Sequence, residues 1–202
     1  MKLRIGILFA ALLMFAVEAF PATGAANAST VSPTLKISVT VQKAIQLTMS
    51  QGTMCTPSTG GATDYTITFG TVDALGISTP TCGTVYPPTT PGSTPSAVYS
   101  DYKLTPAFSG QTSSTGTITA YVSTNFANPT VLAVVQSNTA PVGIGSLTAM
   151  STNSATPTSV GTTVANGAAI TRYVGVTVSV QNGGSAFTGA DAATVTYTLT
   201  AP

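Results

Sequence analysis

Apolar residues recur at every second position of residues 35–49, and this pattern constrains the fold of the chain more than any other feature. Only Lys43 breaks the run of apolar residues at odd numbers: Leu35, Ile37, Val39, Val41, Ile45, Leu47 and Met49. A repeat of two gives a β-strand one buried face and one wet face, whereas a helix would scatter these residues around its axis. An ordinary strand has about five or six residues, so we expect two pairing segments here. One of them could serve a sheet edge on another molecule.

Residues 1–28 are typical of a secretory signal peptide. Lys2 and Arg4 precede an uncharged apolar run at residues 5–17, and Ala-Asn-Ala at residues 26–28 is a small-x-small cleavage pattern. The run is shorter than the about 20 residues of a membrane-spanning helix, which predicts removal rather than anchoring. We therefore expect a secreted surface protein that crosses the periplasm in transit. Its mature part, residues 29–202, would form one domain without a membrane span.

Charge is scarce in the predicted mature part. The chain has six Lys and Arg and five Asp and Glu; Lys2, Arg4 and Glu18 fall in the signal peptide, which leaves four charges of each sign. A chain without a basic surface is not a nucleic-acid-binding protein. Low net charge also leaves little electrostatic repulsion to oppose self-association.

The residue types argue against catalysis. The chain has no histidine, so the Ser-His-Asp and Cys-His mechanisms lack their base and common zinc sites lack a ligand. A small secreted hydrolase with paired carboxylates is the least favoured alternative, because the four aspartates have no acidic neighbours in sequence. We expect no enzyme activity, no cofactor and no catalytic or metal site. The aspartates in question are Asp64, Asp73, Asp101 and Asp191.

Two weaker binding hypotheses remain open. Asp73 or Asp191 could contribute oxygen ligands to calcium, although turn aspartates in water are the simpler interpretation. Exposed tyrosines could stack on sugars, although strand tyrosines more often pack against their neighbours. The tyrosines concerned are Tyr86, Tyr99, Tyr121 and Tyr173.

Cys55 and Cys82 are the two cysteines of the chain. An even number of cysteines in an exported protein predicts a disulfide rather than a metal or redox site. Closure of a loop of this length stabilises the fold by about 3–4 kcal/mol in the chain-entropy model.

Strand patterns separated by Gly, Pro and Asn continue to the end of the chain. They predict an all-β, immunoglobulin-like antiparallel β-sandwich. Residues 79–96 hold five prolines and predict a Pro/Thr-rich loop, either a stiff connection or an O-glycosylated or ligand-exposing segment. Residues 139–169 predict weak edge strands or a long loop. The predicted strands are residues 64–69, 98–104, 116–123, 131–135, 170–180 and 193–201.

Taken in order, these features resemble the spore coat protein U-like and archaic chaperone-usher pilin subunits. The resemblance rests on the early alternating strand, the cysteine after it, Ile-Thr-Phe-Gly-Thr-Val-Asp at residues 67–73 and Gly-Ala-Asp-Ala-Ala-Thr-Val-Thr-Tyr-Thr-Leu-Thr-Ala-Pro at residues 189–202. Two features depart from the family pattern. Cys55 follows a glycine-containing turn instead of lying close to the first strand, and residues 79–96 have no counterpart.

The resemblance implies an incomplete sandwich that is completed by the amino-terminal strand of another copy. The partners would be other copies of the chain, in a homopolymer, and a periplasmic chaperone and usher. The candidate donor residues are Val31, Leu35, Ile37, Val39 and Val41. The candidate acceptor-core residues are Phe69, Val195, Tyr197 and Leu199.

We therefore predict a secreted structural protein, a self-assembling pilus, fibre or coat subunit that uses amino-terminal strand exchange. The residues leave open whether residues 35–41 are donated or form the first strand of a self-contained sandwich. The alternative function is a monomeric adhesive or carbohydrate-binding sandwich.

Overall fold

Alternating apolar residues fold into β-strands along the chain. A computed structural model describes residues 36, 38–40, 42–60, 63–180 and 189–202. The strands are β1 (Ala44–Gln51), β2 (Ser58–Gly60), β3 (Thr63–Thr66), β4 (Thr84–Tyr86), β5 (Ser96–Ser109), β6 (Thr115–Thr124), β7 (Leu132–Ser137), β8 (Thr148–Ala149), β9 (Thr158–Ala165), β10 (Ile170–Val178) and β11 (Thr194–Thr200). A 3-10 turn at Ile144–Ser146 is the one helical element among these residues.

Two antiparallel sheets pack face to face, which confirms the predicted β-sandwich. The large sheet has the strand order β1-β5-β10-β7-β8, and β4 pairs with the same edge of β5 as β1. The small sheet has the order β11-β6-β9, and β2 and β3 form a separate hairpin. The observed order follows the immunoglobulin arrangement, in which strands A, B, E and D form one sheet and C, F and G the other. Here β1, β5, β10 and β7 take the places of A, B, E and D, while β6 and β11 take those of C and F.

The main core lies between the two sheets. Leu104 of β5 and Ile118 of β6 are fully buried there, and burying each side chain stabilises the fold by about 1.5–3 kcal/mol. The predicted alternation along β5 is confirmed, because Tyr102 and Leu104 join this core while Tyr99 belongs to a second cluster on the outer face of the large sheet. That second cluster consists of Ala97, Tyr99, Val135 and Leu147, with Met54, Tyr86, Ile144 and Tyr173 packed against it.

Two strands, β3 and β5, differ clearly in length from the sequence pattern. β3 ends at Thr66, so residues 67–69 continue outside the strand, where the carbonyl of Phe69 accepts a 2.7 Å hydrogen bond from the Thr81 N–H. β5 is longer than predicted and runs through Pro106. Proline is tolerated there because the pairing of β10 with β5 ends at Leu104, beyond which no β10 partner needs the missing N–H.

The Pro/Thr-rich stretch at residues 79–96 is a connection that contains the short edge strand β4. Its three residues lie between Cys82 and Pro87 and hold no proline, so each can pair with β5. The second soft region, residues 139–169, contains β8 and β9 at the edges of their sheets, which is the first of the two predicted alternatives.

Residues 41–202 form one compact unit. The other unit, Met1–Thr40, is described only at residue 36 and residues 38–40, where it has no regular secondary structure. The predicted signal peptide, residues 1–28, lies outside the described residues. No described segment forms a helix with the length and hydrophobicity needed to cross a bilayer.

Candidate functional site

Two segments of the chain share one edge of β5. β1 pairs with β5 from Ser109 to Tyr102, and β4 pairs with it from Tyr99 to Ala97. The disulfide between Cys55 and Cys82 joins the residues that follow β1 to those that precede β4, with a Cα–Cα distance of 5.2 Å. The predicted disulfide is confirmed, and it bridges the break between the two edge segments.

The Asp101 carboxylate fills that break. Among the described strands none pairs with Ser100 or Asp101 on this side of β5. Asp101 turns its 5 % exposed side chain toward the segment that leaves β1. Its oxygens accept hydrogen bonds of 2.7–2.8 Å from the Thr53 and Met54 N–H groups and one of 2.9 Å from the Thr53 hydroxyl. Burial by itself would raise the pKa of Asp101, but these donors favour the ionised form and the net effect is a lowered pKa.

Gly52 permits this close approach. A Cβ atom at Gly52 would overlap the backbone oxygen and the carboxyl carbon of Asp101. Glycine is therefore required between β1 and the segment that Asp101 binds.

Three of the outer strands are poor templates for pairing with another strand. β8 has two residues and β4 has three. β9 has eight residues, but its register against β6 shifts twice, and Thr163 adopts a left-handed conformation with φ 54°. Short edge strands and bulges are the usual protection of sheet edges against unwanted pairing.

β1 and β11 lack this protection. They are eight and seven residues long, β1 pairs with β5 without a register shift, and β11 has one irregularity, at its first residues. Each pairs with one strand in the described part of the chain, so alternate N–H and C=O groups of each face away from its sheet. Both strands border the same side of the sandwich and come within 8 Å of each other, Cα to Cα. We call this pair of strands the open edge.

The core is incompletely covered at the open edge. Apolar side chains of both strands pack against the main core but remain only partly buried, in contrast to Leu104 and Ile118 at its centre. Ile45, at the start of β1, is 49 % exposed. The partly buried members are Leu47, Met49, Val195, Tyr197 and Leu199.

The opposite side of the sandwich is closed by the chain itself. After β8 the chain passes from the large sheet to the small one at Met150 and Ser151. The Met150 N–H donates to the Val134 carbonyl at 3.0 Å, and the Val122 N–H donates to the Ser151 carbonyl at 2.8 Å. These bonds connect both sheets to one segment, which covers the core on this side. The core is therefore better covered here than at the open edge.

Two side chains make hydrogen bonds across the sandwich, Tyr197 beside the open edge and Arg172 at β9, the other edge of the small sheet. The Tyr197 hydroxyl of β11 donates a 2.9 Å hydrogen bond to the Tyr102 hydroxyl of β5, and the two rings meet edge to face with centroids 5.7 Å apart. Arg172 of β10 donates from Nε to the Val160 carbonyl and from one Nη to the Thr171 carbonyl at 2.7 Å. Burial lowers the pKa of Arg172 and raises that of Tyr197 to about 12.

Most of the predicted donor residues cannot be placed. Val31, Leu35, Ile37 and Val41 lie outside the described residues. Val39 is described, belongs to no strand and is 78 % exposed.

The predicted acceptor residues fall into two groups. Val195, Tyr197 and Leu199 lie together on β11 and pack against the main core. Phe69 lies in the loop after β3 and is half-buried beside Gly83, outside both core clusters.

Asp73 and Asp191, like Asp101, accept hydrogen bonds from backbone N–H groups. Asp73 accepts a 2.7 Å bond from the Leu75 N–H within its own turn, and Asp191 accepts bonds of 3.1 and 3.2 Å from the Ala127 and Asn128 N–H groups. These donors lower the pKa of each carboxyl against the opposing effect of burial. Among the described residues no three acidic or cysteine side chains cluster as a metal site would require.

Three of the four candidate sugar-binding tyrosines contact one another. Tyr86 stacks on Tyr99 with centroids 5.2 Å apart, and Tyr99 meets Tyr173 edge to face at 6.1 Å. The Tyr86 hydroxyl donates a 2.7 Å bond to the Pro141 carbonyl. Their ring faces therefore serve the outer cluster; Tyr121 lies apart from it, half-buried on β6.

Sequence reasoning missed the role of Asp101 and the tyrosine pair. In the sequence Asp101 is one more polar residue on the wet face of an alternating strand, and Tyr102 and Tyr197 read as apolar core. The sequence held two hints of these roles. One is the charged Asp101 inside a strand, and the other is tyrosine, which has a hydroxyl to satisfy, at core-facing positions 102 and 197.

Comparisons with protein-family models, with curated proteins and with solved structures give no match to this chain.

Proposed function

We propose that this protein is a secreted, non-enzymatic structural subunit that assembles into a surface fibre or coat by strand addition at the open edge. One observation carries the proposal. The two long regular edges, β1 and β11, border the same incompletely covered part of the core, while the other edge strands are short or bulged. The immunoglobulin arrangement has a strand G beside F, and no described residue pairs with β11 on that side.

A strand added from another copy, here called the guest strand, would pair the free backbone groups of the open edge and cover its half-buried core residues. Its backbone would bond the outward N–H and C=O groups of β11, and its alternate side chains would cover the half-buried core residues. The apolar residues at odd positions 31 and 35–41 have the period of two that this role requires. We propose that this segment of one copy is the guest of another, as the resemblance to the chaperone-usher pilins implies.

The distance between β1 and β11 limits how a guest strand can enter between them. Neighbouring strands lie about 4.8 Å apart, so a strand between β1 and β11 needs roughly 9.6 Å. The two strands come within 8 Å of each other. Insertion along their whole length therefore requires them to separate, which would make strand addition slow and would favour a chaperone that holds the edge open until a subunit arrives.

The test compares three forms of the chain secreted into an oxidising compartment. They are residues 29–202, a truncated form without residues 29–41, and a form with Leu35, Ile37 and Val39 changed to threonine, which keeps strand propensity but removes the apolar face. We expect fibres or oligomer ladders for the first form, and monomers for the other two, by light scattering and negative-stain imaging. A matched control with Ser38→Thr and Thr40→Ser alters only even positions and should assemble normally.

A peptide of residues 29–43 provides the second arm of the test. Added to the truncated form, it should raise the melting temperature, because a ligand at 100 times its Kd stabilises the folded state by about 2.7 kcal/mol. The peptide with the three threonine substitutions should have no effect. A monodisperse, heat-stable monomer of residues 29–202, together with no response to the peptide, would contradict the proposal and favour a self-contained sandwich.

A further inference from the structure

The connection between β4 and β5 contains an ordered turn at residues 89–94. The Ser93 and Thr94 N–H groups donate to the Thr90 carbonyl at 3.1 and 3.0 Å. The Thr94 hydroxyl closes the turn from inside, since it accepts bonds from the Thr90 N–H at 2.9 Å and the Thr89 hydroxyl at 3.2 Å. The turn is therefore stabilised by hydrogen bonds between its own residues.

Two hydroxyls at the tip of this turn are free. Thr90 and Ser93 are exposed, and neither hydroxyl makes a hydrogen bond within the described part of the chain. Gly92 between them has φ 81°, and no atom lies within 4 Å of the position of a Cβ there. Pro91 and Pro95 lack N–H groups, so the turn cannot be drawn into the sheet at either residue.

We propose that Thr90 and Ser93 are acceptor sites for O-glycosylation. Serine and threonine among prolines on an exposed segment is the composition that carries O-linked sugars. In the transfer the hydroxyl oxygen bonds to the anomeric carbon of a sugar activated as a phosphate ester. The bond from that carbon to the phosphate oxygen breaks, the phosphate leaves with the electron pair, and the hydroxyl proton passes to the base of the transferase.

The chain contains its own controls for this proposal. Thr117 of β6 and Thr198 of β11 are exposed and also make no side-chain hydrogen bond among the described residues, but they lie within paired strands. A transferase must enclose its acceptor segment, which a tip at a loop permits and the middle of a sheet does not. Exposure alone would modify all four residues, whereas the proposal confines the sugars to the turn.

The experiment is intact-mass and fragment-mass spectrometry of the protein purified from the organism that makes it. We expect a mass above that of the polypeptide by whole sugar residues, with all of the excess on Thr90 and Ser93. The variant with Thr90→Val and Ser93→Ala should lose the excess completely, Thr90→Ser should keep it, and Thr117→Val with Thr198→Val should leave it unchanged. Unchanged melting temperatures would show that each variant folds.

Two results would overturn the proposal. One is a protein whose mass equals that of its polypeptide. The other is a sugar excess that survives the Thr90→Val and Ser93→Ala variant or that maps to the strand threonines. Neither result bears on fibre assembly, so this inference and the proposed function stand or fall separately.

Discussion

The hydroxyl of Tyr197 donates a hydrogen bond of 2.9 Å to the hydroxyl of Tyr102 and so joins the small sheet to the large one beside the open edge. Both rings pack in the main core, and their edge-to-face contact adds to the link. This pair connects β11, an exposed edge, to β5, the longest strand of the fold.

Loss of either hydroxyl should destabilise the protein. Tyr197→Phe or Tyr102→Phe leaves the remaining hydroxyl without its partner, at an expected cost of about 1–3 kcal/mol. The double variant should cost less than the sum of the single ones, with a coupling of about 1 kcal/mol, because it leaves no orphaned hydroxyl. Urea unfolding of the four forms measures the cycle; strictly additive costs would show that the bond contributes nothing.

The raised pKa values of two tyrosines predict an alkaline transition. Burial raises the pKa of Tyr197 to about 12, and the hydrogen bond with Tyr99 raises that of Tyr86 to about 12 as well. A tyrosine is about half ionised at pH 10 in the unfolded chain. The unfolded state therefore releases protons that the folded state keeps, so stability should fall as the pH rises from about 10 to about 12.

The measurement is the free energy of unfolding at a series of alkaline pH values, with tyrosine ionisation followed by ultraviolet absorbance. Tyr197→Phe should flatten the pH dependence in this window. A wild-type curve that is level up to pH 12 would contradict the assigned shifts.

Asp101→Asn should weaken the attachment of the segment that follows β1. An amide has one acceptor oxygen in place of two and would turn its NH2 group toward the donors of Thr53 and Met54, at an expected cost of about 1–3 kcal/mol at neutral pH. The pKa of Asp101 is lowered, so its contribution is complete above the unfolded pKa and is lost as the pH falls through the folded one.

The difference between wild type and Asp101→Asn should therefore be largest near neutrality and shrink below about pH 4. Asp191→Asn is the matched control, because that carboxylate also accepts N–H bonds but lies at the surface. We expect it to cost less than Asp101→Asn. An equal cost for both substitutions would count against a special role of Asp101.

Gly52→Ala tests the close contact between the chain just after β1 and Asp101. The added methyl group would meet the backbone of Asp101, which cannot rotate away, so we expect a loss of about 1–3 kcal/mol. Gly143→Ala is the control, since nothing lies within 4 Å of its Cβ position and its φ of 170° suits any residue. Thermal unfolding of both variants measures the contrast; equal melting temperatures would contradict it.

The sequence predicts most of the strands of this fold, the faces that they bury and the disulfide. Apolar and polar residues alternate along β5, β6, β10 and β11. This alternation predicts the strands and their faces, because every second side chain of a strand points into the core. Two cysteines in a chain that is predicted to be exported indicate the bridge between Cys55 and Cys82. The sequence does not predict the lengths of β3 and β5. They depend on whether a neighbouring strand lies beside residues 67–69 and beside Pro106.

The open edge was only partly predictable. The period of two at residues 35–49 indicates a segment that can pair, and the apolar face of β11 indicates a core strand. That β1 and β11 border the same side of the sandwich depends on the order of strands in both sheets, which involves contacts between residues far apart in the chain. The role of Asp101 likewise arises from the gap between two edge segments that no local pattern reveals.

The disulfide beside β5 also has a mechanical consequence. A subunit in a fibre would be pulled by its amino-terminal segment, and tension there would peel β1 from β5. Residues 44–54 span at most roughly 40 Å when fully stretched. Once they have left β5, the load reaches Cys55 and passes through the bridge to Cys82 and β4. The loop between the two cysteines carries none of the tension. A stretched subunit would therefore lose β1 before any strand that follows the bridge.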